Sequence, residues 1–184
     1  TEDDEQGTKE VLQKQIAGLD IVDKIENISF SFETEGTVKR LAEYLKETKV
    51  DVVVVDNFAD MLLGDSNSLK QVRDTLRPFK ELAIKHNCAM VLLHHNVKHS
   101  EKHAPDKGKL NGSQAFEAVA RSVLELRVGS MHSERLLTIV KGNYVSQEKK
   151  NKSAALNFDS RHLLFTNTMQ TSLFEQSRKS KYDK

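Results

Sequence analysis

Four consecutive valines, Val52–Val55, run directly into Asp56. Such a β-branched run reads as a strand covered on both faces, with a single carboxylate delivered to its carboxyl end. A carboxylate placed there can help hold Mg²⁺, often through water. An Asp that merely closes a buried strand is the competing reading. Further on, Cys88-Ala89-Met90-Val91-Leu92-Leu93 reads as a second buried strand ending in His94-His95-Asn96. In α/β sheets ligands gather at the carboxyl ends of the strands, where Asp56, His94 and His95 all fall. A metal-dependent hydrolase built on these three lacks a convincing set of further ligands. His99 and His103 stand four apart with Glu101 between them, but H-S-E-K-H is not H-E-x-x-H, and Pro105 follows closely. Cys88, inside a strand pattern, reads as a small buried apolar residue rather than a nucleophile.

The elements that must position these residues follow from hydrophobic period and cap signals. The spacing predicts a helix over 5–19 and a half-buried strand in the alternating run Asn27–Phe32. Thr34 can cap a helix over 35–47 with Val38, Leu41, Ala42 and Leu45 on one face. Asp65-Ser66-Asn67-Ser68 supplies turn and cap signals before a long helix with Leu69, Val72, Leu76, Phe79, Leu82 and Ala83 inward. Pro78 predicts a kink or a break in it. Residues 98–111 are polar and basic without apolar period, a long exposed loop, and a short helix follows from Gly112 to Arg121. Ser122–Val128 reads as a third core strand, and Arg135–Val140, Ala154–Phe158 and His162–Thr166 as later antiparallel strands. This alternation of strands and helices predicts an α/β fold with a parallel sheet and an antiparallel edge.

Composition narrows the function classes. The 184 residues are enough for one core, and 38% hydrophobic with 30% charged residues is a soluble globular balance. A net charge of +1 excludes a uniformly basic nucleic-acid binder but not a local basic patch. One Cys excludes an internal disulfide framework and a multi-Cys zinc site within one chain. Apolar runs are too short for a membrane span, and no signal peptide is visible, so a cytoplasmic protein is expected.

The order of the features carries a more specific reading. After the valine strand come Leu92-Leu93-His94-His95-Asn96-Val97-Lys98, the basic loop, Asn111-Gly112-Ser113-Gln114-Ala115, Ala120–Leu126 and Ile139-Val140-Lys141-Gly142-Asn143. Over about residues 1–166 this series resembles the RecA-like P-loop ATPases, and among them the RepA-like hexameric helicases and mobile-element ATPases. The resemblance implies a partial RecA-like core over 1–167, three-layer α/β/α with a mostly parallel sheet and antiparallel carboxyl-terminal strands, followed by a basic flexible tail over 168–184. It implies that Asp56 is the Walker B carboxylate for Mg²⁺, that His94 is the sensor of the γ-phosphate, and that Glu2 is the general base orienting the attacking water. It implies that Lys98, Lys102, Lys107 and Lys109 grip single-stranded DNA from a central-channel loop. The K-x-R motif, which reaches the neighbouring subunit's nucleotide, here reads Lys141-Gly142-Asn143. Asn143 cannot neutralise phosphate charge as a guanidinium does, so Lys141 acts alone or an Arg such as Arg135 substitutes. Arg121 is expected to pack or to form an ion pair at its helix end. The implied ligands are ATP and Mg²⁺, and the implied partners are single-stranded DNA and further copies in a ring, with no membrane.

The Walker A motif G-x-x-x-x-G-K-[ST] does not occur in the 184 residues. The family places it, with its strand and helix, just upstream of the position that Thr1-Glu2 resembles. The first strand and the P-loop helix are therefore expected to lie outside this sequence. These residues alone should bind ATP weakly and hydrolyse it negligibly, and the sheet should carry an open edge. A non-catalytic RecA-like module that binds nucleic acid or a partner is the alternative.

Overall fold

The computed structural model describes residues 4–19, 27–33, 35–62, 68–95, 116, 118–150 and 152–173. The helices are α1 (Glu5–Leu19), α2 (Thr37–Glu47) and α3 (Leu69–His86). The strands are β1 (Val52–Val55), β2 (Ala89–Leu92), β3 (Ser122–Val128), β4 (Glu134–Gly142), β5 (Lys152–Asp159) and β6 (Leu164–Leu173). Two single turns, the 3₁₀ turn Phe58–Met61 and the helical turn Gln147–Lys150, are also described. The expected mixed α/β class, with a parallel sheet and antiparallel strands after it, is the class observed. The chain divides into two compact units.

The first unit holds α2, β1, α3 and β2. β1 and β2 pair in parallel, with Val52 opposite Ala89 and Val55 opposite Leu92, and α3 makes the crossover between them. Val53, Val55, Met90 and Leu92 turn inward with Val38 and Leu41 of α2 toward Val72, Leu76 and Phe79 of α3. The opposite face is bare: Val52 and Val54 are 53% and 58% exposed, and Val91 and Leu93 are exposed beside them. The expected cover on both faces is thus found on one only, because α2 and α3 pack on the same side.

α3 runs unbroken through Pro78, against the expected kink or break. Its buried stripe, Val72, Leu76, Phe79 and Leu82, lies on both sides of the proline and outweighs the missing N–H. Ser68 caps the helix by accepting from the Gln71 N–H, and Asn87 ends it in the left-handed region at φ 51°. α2 starts at Thr37 behind Gly36, whose φ of 64° suits a residue without a Cβ. The proposed cap Thr34 lies outside the described residues. Asn27–Phe32 forms no strand; Ile28 and Phe30 are exposed, Phe30 stacks on Phe32, and Ser29 accepts from the Tyr44 hydroxyl instead of joining a ladder.

The second unit is an antiparallel meander in the order β3-β4-β5-β6, with α1. β3 was expected in the parallel sheet and instead pairs antiparallel with β4. Its residues alternate, with Val123 and Glu125 buried and Leu124, Leu126 and Val128 exposed. The inner face is small and polar: Thr138 and Ser153 share a 2.7 Å hydrogen bond, and Arg127 pairs with Glu125 at 2.5 Å with both side chains under 10% exposed. β6 continues to Leu173, past the expected boundary at 167, because Thr171–Leu173 still pair with β5. α1 is joined to the turn before β6 where the Gln15 amide donates to the Leu163 carbonyl, 3.2 Å away.

Candidate functional site

The parallel pairing of β1 with β2 brings Asp56 and His94 to neighbouring strand ends. The pairing continues past the strands: the Leu93 N–H donates to the Val55 carbonyl and the Phe58 N–H to the Leu93 carbonyl, each at 2.9 Å. These two bonds clamp the segment containing Asp56 to the residue preceding His94. Asp56 is exposed at the end of the clamp. The next residue is tied down: Asn57 is 7% exposed, and its side-chain oxygen accepts from the Ala59 N–H at 2.7 Å, capping the 3₁₀ turn. The Asp56–Asn57 peptide is cis.

Beneath the carboxylate lies an aromatic cluster. Phe58 is fully buried and meets Phe79 and Phe116 edge-on, with ring centroids 5.9 Å and 5.6 Å away. His94 is half-buried with its ring 4.7 Å from that of Phe116. Phe116 therefore touches both the imidazole and the residue two positions after Asp56. His95 is exposed. Cys88 is half-buried and precedes β2 rather than lying within it.

Asp56 fits Mg²⁺ as a hard oxygen donor open to solvent, leaving the remaining positions for water and phosphate oxygens. Among the described residues no group of three His, Cys, Asp or Glu converges as a metal cage.

Lys141, Asn143 and Arg121 lie in the second unit. The Lys141 ammonium donates to the Ala120 carbonyl at 2.8 Å, and the Asn143 N–H donates to the Arg121 carbonyl at 3.2 Å. That bond extends the β3–β4 ladder one step past Ser122 and Gly142, so Arg121 is the cross-strand neighbour of Asn143. Arg121 is exposed, and its guanidinium makes neither a hydrogen bond nor an ion pair with a described residue, contrary to the expected packing or pairing. Arg135 is engaged instead: it donates to the His132 and Glu134 carbonyls and its guanidinium lies 5.0 Å over the Phe158 ring. Glu2, Lys98, His99, Lys102, His103, Lys107 and Lys109 lie outside the described residues. The sequence reading missed Phe116 and the Asn57 cap; the signal for the cap was present in Asp-Asn-Phe after a strand.

A strand-end carboxylate and histidine on neighbouring parallel strands of an α/β chain is an arrangement compatible with a nucleotide-dependent P-loop protein. A family model described as an AAA domain matches residues 2–101, more than half of the sequence and the part that carries Asp56 and His94. The chain belongs to this AAA domain family. AAA-type ATPases share the P-loop fold and use nucleotide with Mg²⁺ in general. None of the curated proteins compared with it matches the chain. Among the described residues no helix is long and apolar enough to cross a membrane.

Proposed function

We propose that the chain is the sensor-bearing part of a RecA-like ATPase of the RepA-like helicase and mobile-element group, coupling ATP hydrolysis to binding of, or movement along, single-stranded DNA within a ring of like subunits. The observation that carries this reading is the clamp that sets Asp56 and His94 on adjacent parallel strand ends. Mg²⁺, when bound, neutralises charge on the phosphate oxygens. Asp56 would hold it. His94, whose ring rests against Phe116, would donate to the γ-phosphate, and Lys98, Lys102, Lys107 and Lys109 would grip the DNA. Glu2 orients the water. Toward a neighbouring subunit's nucleotide, Lys141 supplies one cation and Arg121 replaces the guanidinium that Asn143 lacks.

The 184 residues hold no Walker A loop, so their own ATP turnover should stay at background. Steady hydrolysis by this chain, abolished by Asp56→Ala, would sink the assignment. Joined to a Walker A unit, the chain should hydrolyse ATP. Asp56→Ala should then cost about 10²-fold or more, and Arg121→Ala at least about tenfold, less than the 10³–10⁵ of a sole arginine finger because Lys141 remains.

One observation favours a second reading, a non-catalytic nucleic-acid or partner-binding module: the replacement of the motif arginine by Asn143. DNA binding indifferent to nucleotide, with no turnover even beside a Walker A unit, would establish it.

A further inference from the structure

The outer flank of α3 carries charge that the nucleotide site does not use. The helix holds five Lys and Arg (Lys70, Arg73, Arg77, Lys80, Lys85) against two acids (Asp74, Glu81). Arg73, Arg77 and Lys80, with Asp74 and Val119, line a shallow groove of about 350 Å³. Arg77 is neutralised by Asp74 at 2.6 Å. Arg73 and Lys80 are exposed, and neither makes a hydrogen bond or ion pair with a described residue. Seven residues of helix bring them back to nearly the same line, about 10.5 Å apart along the axis. Two uncompensated cations are thus aligned along one groove.

The chemistry of the lining selects the ligand. A protein partner is held by aromatic or aliphatic anchors in a core depleted of charge, and among the described residues Val119 is the one apolar residue lining this groove. A single phosphate gains little from two exposed cations spread along 10 Å or so of helix, since each is screened by water and salt. A chain of phosphates gains from both. No aromatic ring of a described residue lines the groove, so these residues offer no platform for stacked bases.

We infer that this flank of α3 is a contact for the phosphodiester backbone of nucleic acid, made without reading the bases. It does not depend on the ATPase assignment, and it is separate from the lysines of residues 98–109. The test is fluorescence anisotropy of the 184-residue chain with a labelled oligonucleotide, with an abasic strand of the same length, and with poly-glutamate, between about 50 and 200 mM salt. Arg73→Ala/Lys80→Ala should lower affinity on the order of tenfold at low salt. It should also flatten the slope of log K against log salt by roughly 1.4, the figure for two single-strand phosphate contacts. The abasic strand should bind like the full one. The same loss should persist in a Lys107→Ala/Lys109→Ala background. Since both residues are exposed, thermal melting should not change.

Any one of four results overturns the inference. They are no oligonucleotide binding, an unchanged affinity and slope in the double variant, a requirement for bases, or equally tight binding of poly-glutamate, which would make the flank an acidic-protein surface.

Discussion

Glu134 closes the turn between β3 and β4, its carboxylate accepting from the Ser130 N–H at 2.8 Å and from the Ser130 hydroxyl at 3.0 Å. A Cβ on Gly129 would run into that carboxylate, so the glycine leaves it room. The Ser130 N–H, then its hydroxyl, hold Glu134 below its ordinary value of 4.5. The folded chain therefore binds this proton less readily than the unfolded one. The stabilisation is complete above about pH 4.5 and is lost as pH falls through the folded value. Glu134→Gln should melt below the parent at about pH 6, with the gap narrowing as the pH falls below the ordinary carboxylate value. A gap that stays constant with pH would show that the turn depends on shape and not on charge.

At this scale Asp56 and His94 were legible, since each sits at the end of a run whose pattern marks a strand. Phe116 and Arg121 were not. What each touches is set by pairings across the chain, to His94 and to Asn143, and no local period reveals those.

α1 shows how an element's setting can reverse a propensity. Gly to Ala inside an exposed helix usually gains about 1 kcal/mol. At Gly18 a Cβ would sit 2.5 Å from the Cβ of His162 and 2.7 Å from a methyl of Leu164; the methyl can swing aside, but the His162 Cβ is fixed to its backbone. Gly18→Ala should therefore destabilise the second unit by about 1–3 kcal/mol, the usual cost of overpacking, seen as a lower melting temperature. A rise in melting temperature would mean that α1 does not rest on this turn. Helix α1, strand β1 and helix α3 could be read from period and caps alone. The failures share one cause. Asn27–Phe32 has the period of a strand, and Ser122–Val128 has the residues of a core strand, but the partner decides whether a ladder forms and in which direction. The break expected at Pro78 failed for a related reason, since buried side chains on either side hold the helix together.

On the scale of the whole molecule, the net charge of +1 averages over an acidic start, the basic run near residue 100 and the flank of α3. The second unit is discontinuous in sequence: it takes α1 from one end and β3–β6 from the other, with the first unit's strands between them. The AAA match over residues 2–101 thus includes α1 but not the strands it packs with. A 15-residue helix with no buried residue is marginal by itself. In a 2–101 fragment the amides of α1 should exchange as fast as an unfolded peptide, whereas in the full chain they should be protected. Equal protection in both would contradict the division.

The bond between Gln15 and Leu163 spans 148 positions. During synthesis at about 5–20 residues per second, α1 would leave the ribosome roughly 7–30 s before the turn that receives it. Helix α1 is made before α2 and α3 yet secured only once the turn at Leu163 exists, and through that interval it is open to a chaperone or a protease.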